Sequence, residues 1–450
     1  MSKIDQKAPG STAVEGQDVP AKAPEPVLRG DPITGDRYTS REYFQREWDT
    51  MWARTWHIGV LEYQIPEPGD FATCDLGRES FIFIRQEDGG IRGFFNVCLH
   101  RGARLTFATE GFANVLTCPY HGWEWGQDGM LEKALDPHDF PKGDPCGKLK
   151  LREVACDTWN GMVWFNMDIN AGPLREFLSP VDEDIACYHM EDMVRVLNMT
   201  AKTDCNWKVI ADNFNEGYHI PTLHPDLAPY IECDQTQTQY DLYENGHNRG
   251  WFPSMRPSSL YEHDTAQEPL ISMMKGWDLN ADDYHGKEEL KQIRVDAQRK
   301  KRELGPGRNL HHYDALADYM LTDYMIYNMF PNSSITVGPD GVQVLRPRPH
   351  PTDPEKCLFD HWYLVPRVEG MVTVPSPAGG PDLVVEDAPM DLSDHGERTL
   401  GTTADQDLSI ATNQQLGLGS MAYEDAYLSN QERRVQRFHE VLNDYIEGRR

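Results

Sequence analysis

Two short Cys/His pairs carry the clearest chemistry in this chain. They are Cys98-Leu99-His100 and Cys118-Pro119-Tyr120-His121, with 17 residues between them. Four unrelated core residues would not fall at ligand spacing in two places, each beside turn formers. Brought together by a chain that folds back, two thiolates and two imidazoles make a metal site. Two chemistries fit the set. One is tetrahedral zinc held by Cys2His2. The other is a [2Fe–2S] centre in which both Cys bind one iron and both His bind the second.

A second pair, His219 and His224, lies further on, with Glu216 three residues before the first. Two His with a carboxylate from elsewhere form the facial triad of non-haem Fe(II) sites, which leaves positions open for O2. Taken alone, His-x4-His is better read as two hydrogen-bonded histidines at a helix end. A zinc hydrolase is a weaker reading, because no His-Glu-x-x-His is present. The two sites together shift the balance. An iron that activates O2 needs electrons one at a time. A [2Fe–2S] centre delivers them, whereas zinc has no redox role.

The elements that must position these residues follow from patterning. Residues 1–28, rich in Ala, Pro, Glu and Gly, read as a disordered tail. Residues 29–56 form an N-terminal helical segment, in which Ser40 caps a helix carrying Phe44, Trp48, Met51, Trp52 and Trp56. Residues 57–168 alternate short strands with Pro-Gly and Asp-Gly turns, the mark of a small all-β domain with the Cys/His pairs on two loops. Residues 169–450 make a second, mixed domain. In it Trp207, Ile210, Phe214 and Tyr218 repeat as one helical face, and Pro221 breaks that helix before His224. Residues 245–310 read as a polar insertion or lid, with a charged exposed helix near 286–303 whose run Arg299–Arg302 is solvated. A helix is expected over Tyr313–Met329, then strands, then a loop over 376–406, then an amphipathic helix from Asn430 to Tyr445.

Composition bounds the function class. The formal charge of −29 argues against nucleic acid and anionic membrane as partners. No apolar run is long enough to span a bilayer, and the first 28 residues lack a signal-peptide core. Nine scattered Cys suit reduced thiols, so a cytoplasmic protein is expected.

Cys98-x-His100-Arg101-Gly102 and Cys118-Pro-Tyr-His121-Gly-Trp123, taken with Asn206-Trp207-Lys208, Asp212-Asn213-Phe214, Glu216, Tyr218-His219 and His224, resemble the motifs of one family. It is that of the Rieske non-haem iron ring-hydroxylating oxygenases, in their catalytic α subunit, and the resemblance covers about residues 40–445. It implies an α+β fold: an all-β Rieske domain plus a helix-grip (START/SRPBCC-like) catalytic domain, whose antiparallel sheet wraps a long helix. It implies that Cys98 and Cys118 bind one cluster iron, His100 and His121 the other, and His219 and His224 the mononuclear Fe(II). The third iron ligand is a distant Asp; the stretch Ala404 to Leu418 assigns Asp407, with Asp405 as runner-up. Glu216 stands where the family has a bridging acid, usually Asp, that links an iron ligand to a cluster histidine of the neighbouring subunit. Asn213 and Tyr218 would support the site.

The resemblance further implies an enzyme using O2 and electrons from an NAD(P)H-dependent reductase, with or without a ferredoxin, on a small organic substrate. The expected assembly is a homotrimer or α3β3. An aromatic substrate is the first reading and a quaternary amine the second, because Asn213–His219 resembles the compact version in members acting on aromatic acids and quaternary amines. Mono-oxygenation, dioxygenation and demethylation share these ligands. A non-catalytic electron carrier or binding protein is the reading from a different class, against which the chain's length counts.

Overall fold

The computed structural model describes residues 19–378 and 380–450. The chain divides into two compact units. One comprises Gln45–Asp182 with Pro349–Asp353, and the other Glu183–Arg348 and Pro354–Arg450 with the residues up to Phe44.

The smaller unit is built on a seven-stranded antiparallel sheet. Its order is His57–Leu61, Met162–Asn166, Glu153–Trp159, Ile91–Phe95, Glu79–Arg85, Asp70–Leu76 and Glu110–Phe112. The strand Glu79–Arg85 runs Phe-Ile-Phe-Ile through its middle, and all four side chains are fully buried. Both faces of that strand are therefore covered. Phe81 and Phe83 meet Phe165 on one side, with ring centroids 4.5 and 5.4 Å apart. Ile82 and Ile84 join Cys98, Cys118, Trp123 and Trp125 on the other. A three-stranded sheet, Val115–Thr117, Glu124–Gly126 and Leu131–Lys133, carries the second Cys/His loop.

The larger unit holds an eight-stranded sheet in the order Gln239–Leu242, Asn248–Phe252, Tyr324–Met329, Ser333–Gly338, Gly341–Pro349, Cys357–Pro366, Met193–Thr203 and Asp391–Asp394. The last pair is parallel. Helices Trp207–Phe214 and Arg433–Ile446 pack together and onto this sheet. Trp207 meets Phe438 edge-on at 5.9 Å, and Phe214 stacks on Phe359 at 5.9 Å. Each such aromatic side chain contributes roughly 1.5–3 kcal/mol by burial. The fold class is thus α+β with an antiparallel helix-gripping sheet.

Ser40 Oγ accepts the Tyr43 amide at 3.2 Å, and helix Arg41–Glu47 runs on as a wider turn, Trp48–Trp52. Several other expectations are corrected. The disordered tail, expected through residue 28, lies outside the described residues only as far as residue 18. Beyond it the chain is bound: the buried carboxylate of Asp241 takes the Ala23 amide at 2.8 Å and Lys22 Nζ at 3.2 Å. A buried carboxylate needs donors, and this segment supplies them.

Pro221 does not end a helix. Helix Trp207–Phe214 stops earlier, and Pro221 lies in the first turn of a separate short helix, Ile220–Leu223, where its missing N–H costs nothing. Tyr313–Met329 is short turns followed by the strand Tyr324–Met329, so aromatic and β-branched content outweighs the helical spacing. Residues 376–406 contain two strand segments and the start of helix Thr402–Leu418. Helix Gly286–Leu304 is not a solvated rod. It buries Leu290, Ile293 and Ala297, and Lys301 reaches Asp340 at 3.1 Å beneath the Trp277 and Tyr313 rings.

Candidate metal centres

The two Cys/His loops are the same backbone device used twice. In the first, the Cys98 amide donates to Ala103 O at 2.8 Å and the Gly102 amide to Cys98 O at 3.0 Å. In the second, the Cys118 amide donates to Trp123 O at 2.8 Å and the Gly122 amide to Cys118 O at 3.0 Å. Each loop closes only because the residue four after the cysteine is left-handed, with φ of +79° at Gly102 and +65° at Gly122.

Cys98 and Cys118 are buried at 1% and 2% exposure, and their thiols are in direct interaction. Burial and the Cys118 thiol push the Cys98 thiol up, against the pull of the His100 amide. Two facing thiols of this kind call for a cation that stabilises both thiolates. Across from them, His100 Nδ1 and His121 Nδ1 lie 3.2 Å apart. Trp123 stacks on His100 at 4.5 Å. Burial, then the His121 and Arg101 charges, hold His100 below the usual imidazole range, so it is neutral and ready to ligate.

The pairing discriminates the two candidate metals. Tetrahedral zinc would bring all four ligand atoms to roughly 3.3–3.8 Å of one another, given its bond lengths. Among the described residues, no three ligand atoms of Cys98, His100, Cys118 and His121 converge within 4.8 Å. The site offers a thiol pair and an imidazole pair, which fits two irons and not one zinc.

The second site is assembled from distant parts of the larger unit. His219, His224 and Asp407 offer ligand atoms that all lie within 4.8 Å. Asp407 Oδ1 is 2.9 Å from His224 Nε2 and 3.6 Å from His219 Nε2. The outer nitrogens are held as well. Glu216 Oε1 lies 2.5 Å from His219 Nδ1, and Gln406 Oε1 lies 2.7 Å from His224 Nδ1. Each ring is thereby turned with Nε2 toward the common point, the orientation that outer partners impose on metal-binding histidines. Burial pulls the His224 pKa down, but Asp407 and Gln406 outweigh it and the net shift is upward.

Asp405, the runner-up, points elsewhere. Its carboxylate takes the Leu400 amide at 2.9 Å and the Thr399 hydroxyl at 2.6 Å, securing the entry to helix Thr402–Leu418. Tyr218 is 56% exposed and joins the site only through its amide, which donates to Glu216. The Asn213 Nδ2 amide is buried with no hydrogen-bond partner among the described residues. Gln406 was not anticipated from sequence; its place beside Asp407 was the available signal. The other convergent group, His189 with Glu191 and Asp192, is fully surface-exposed.

Comparison with known proteins identifies the two domains that carry these residues. The model of the ring hydroxylating alpha subunit (catalytic domain) matches residues 190–448, and that of the Rieske [2Fe-2S] domain matches residues 55–142. The chain belongs to the ring-hydroxylating alpha-subunit family. It therefore carries the Rieske [2Fe–2S] domain and the catalytic domain of the mononuclear iron oxygenases. The carnitine monooxygenase oxygenase subunit of Escherichia coli (strain K12) is 31% identical over 200 residues, 44% of this chain and 53% of that protein. The large oxygenase component of the naphthalene 1,2-dioxygenase system of Pseudomonas putida is 34% identical over 195 residues, 41% of this chain and 42% of that protein. The chain thus spans about half the length of the curated relatives it matches. Among solved structures, the quaternary ammonium Rieske monooxygenase CntA with an inhibitor superposes with TM-score 0.65 at 20% identity, covering 92% of this chain and 94% of that one. Naphthalene 1,2-dioxygenase with indole bound gives 0.63 at 19% identity, covering 92% of each chain. These likenesses establish the shared fold.

Proposed function

We propose that this chain is the oxygenase component of a multicomponent system that inserts oxygen from O2 into a small organic substrate. The observation that carries the reading is the convergence of His219, His224 and Asp407, with Glu216 on the outer nitrogen of His219, in a chain that also holds the paired Cys98/Cys118 and His100/His121 set. When bound, the cluster supplies electrons singly and the Fe(II) provides open positions for O2.

In this reading Cys98 and Cys118 hold one cluster iron, and His100 and His121 hold the other. His219, His224 and Asp407 hold the mononuclear iron on one face. Glu216 fixes the His219 tautomer and faces a cluster histidine of a neighbouring subunit in a trimer. Gln406 does the same orienting work for His224. Substrate would rest near the apolar group beside Ile220, against its partly exposed members Tyr324, Ile326, Leu227 and Ala228. The Tyr324 ring suits an aromatic substrate. It also suits a quaternary ammonium cation, and the likeness to carnitine monooxygenase subunits favours keeping that second reading. An NAD(P)H-dependent reductase, directly or through a ferredoxin, and a cytoplasmic setting complete the proposal. No helix among the described residues is long and apolar enough to cross a membrane.

The test is Glu216→Gln in the metal-loaded enzyme. It should retain both metal centres and lose substrate-dependent O2 uptake by about tenfold or more. Normal coupled turnover would remove the bridging role. Zinc alone on metal analysis, with no [2Fe–2S] spectrum, would remove the oxygenase reading itself.

A further inference from the structure

Among the described residues, the guanidinium of Arg434 has no carboxylate partner within ion-pair distance. Arg434, on helix Arg433–Ile446, is completely buried. Its Nε and Nη2 have no hydrogen-bond acceptor among the described residues. Its Nη1 makes a single 3.3 Å contact to Asn248 Oδ1. An isolated buried charge is costly and persists only where something compensates it. Burial pulls Arg434 down to about 10, with the Tyr240 phenol and the Glu216 carboxylate pulling the other way. It is still a cation at neutral pH.

Two lines of contact run from this cation to the residues on either side of Glu216. On one side, Asn248 Nδ2 donates to Asn215 Oδ1 at 2.6 Å, and Asn328 Nδ2 donates to Asn248 Oδ1 at 3.0 Å. On the other, the guanidinium lies 4.5 Å from the Tyr240 ring, and the Tyr240 hydroxyl sits 2.5 Å from where a Gly217 side chain would begin. Asn215 is thus held by a neighbour of Arg434, and at Gly217 the chain leaves no room for a side chain beside Tyr240. The strand opposite makes room for it: a side chain at Gly250 would begin 3.0 Å from Nη1.

We propose that Arg434 is a positioning residue for Glu216: through Asn248 it holds the Asn215–Gly217 turn that aims the Glu216 carboxylate at His219. The inference rests on the bridging reading of Glu216 given above. It assigns Arg434 no contact with substrate or metal.

The experiment compares Arg434→Gln, Arg434→Lys and Asn248→Ala with Glu216→Gln in enzyme carrying both metal centres. Iron content, the cluster spectrum, KM, kcat and the product formed per O2 consumed are measured. Arg434→Gln should keep both centres and leave KM within about twofold, yet lower kcat about tenfold or more and uncouple O2 uptake from product. Arg434→Lys, which keeps the charge, should recover most of kcat. Asn248→Ala keeps the arginine but removes its link to Asn215, and should give a partial loss; it carries the test if Arg434→Gln does not fold. Unchanged kcat in Arg434→Gln alongside an inactive Glu216→Gln would overturn the inference and spare the bridge. A change confined to KM would make Arg434 a substrate contact and overturn it too. Loss of iron from Arg434→Gln, unrescued by lysine, would show a structural role only. Normal turnover in Glu216→Gln would instead remove the reading beneath it.

Discussion

Two aspartates two residues apart in helix Thr402–Leu418 face different tasks, and substituting each separates them. Asp407 is buried and reaches both histidines through Oδ1, at 2.9 and 3.6 Å. Asp407→Ala removes the only carboxylate of a three-ligand set. Losing an outer partner of a ligand already costs 10–100-fold in metal affinity, so losing the ligand should cost more than about 100-fold. Iron should fall from about three to about two per chain, the remaining two being those of the cluster. The [2Fe–2S] absorbance and paramagnetic signal should be unchanged. Asp405→Ala should do the opposite. It removes two hydrogen bonds at a helix entry, to Leu400 N and Thr399 Oγ1. A partly exposed cap of that kind is worth about 1–2 kcal/mol. In a unit of this size that lowers Tm by about 2–8 °C, with iron retained. The assay is iron by elemental analysis beside the cluster spectrum and a melting curve on the same preparations. An Asp405→Ala enzyme short of mononuclear iron, with a fully loaded Asp407→Ala, would refute the assignment.

Three further outcomes follow from the same structure. Asp360 is buried between Arg346 Nε at 2.9 Å, Arg348 Nε at 2.7 Å and the Thr200 hydroxyl at 2.8 Å, and the two arginines hold it down at about 2. Asp360→Asn removes the carboxylate that both arginines face and should cost about 3–5 kcal/mol in denaturant unfolding; a loss below about 1 kcal/mol would contradict that. His361 is fully buried, and burial holds it at about 4 against the Leu400 carbonyl and Asp405. The unfolded chain takes up this proton near pH 6.5 and the folded chain only near 4, so protonation between them favours unfolding. Its contribution is full above pH 6.5 and declines by up to roughly 3 kcal/mol as pH falls to 4. His361→Gln, which can still donate to Leu400 O, should flatten the Tm–pH curve over that window, and an unaltered slope would count against the assignment. Gly122→Ala puts a side chain on a residue at φ +65°, a strain of about 1–2 kcal/mol in the loop between His121 and Trp123. Cluster content per chain, read from absorbance, should drop, whereas the mononuclear site should load normally.

What the sequence disclosed and what it withheld have physical causes. The Cys98/His100 and Cys118/His121 loops were legible because each is a local device, with ligands and turn glycine within five residues. Their pairing follows from the family resemblance and not from spacing, since two-plus-two and four-around-one differ only in how the loops face each other. The strand Glu79–Arg85 was legible from its β-branched and aromatic run. Tyr313–Met329 was misjudged because its spacing suits a helix while the strand neighbours at Asn248–Phe252 and Ser333–Gly338 fix it as extended. Lys301 reads as a solvated charge in the sequence because the aromatic rings and the acid that hold it, Trp277, Tyr313 and Asp340, lie far from its own helical face along the chain. Gln406 and Arg434 went unseen for a related reason. Each acts through a residue nearly two hundred positions away, and no spacing rule spans that distance.

The cluster of His219, His224 and Asp407 shows how such a distance is closed. Its histidines belong to the segment after helix Trp207–Phe214, and its carboxylate to helix Thr402–Leu418. Asn206 connects them. Its Oδ1 accepts the Lys208 amide at 3.0 Å and caps the first helix, while its own amide donates to Gln415 Oε1 at 2.8 Å on the second. Gln406 adds a bond at the other end of the same helix, to His224 at 2.7 Å. Gln415 and Gln406 lie nine residues apart, about two and a half helical turns, so the two bonds fix both the height and the rotation of helix Thr402–Leu418 against the histidine segment. Rotation is what chooses the ligand. Residues two apart on a helix point about 200° from each other, so an orientation that brings Asp407 to His219 and His224 must turn Asp405 away, toward Leu400 and Thr399. The selection of one aspartate over the other is therefore made by two neutral glutamine contacts, neither of which would bind metal.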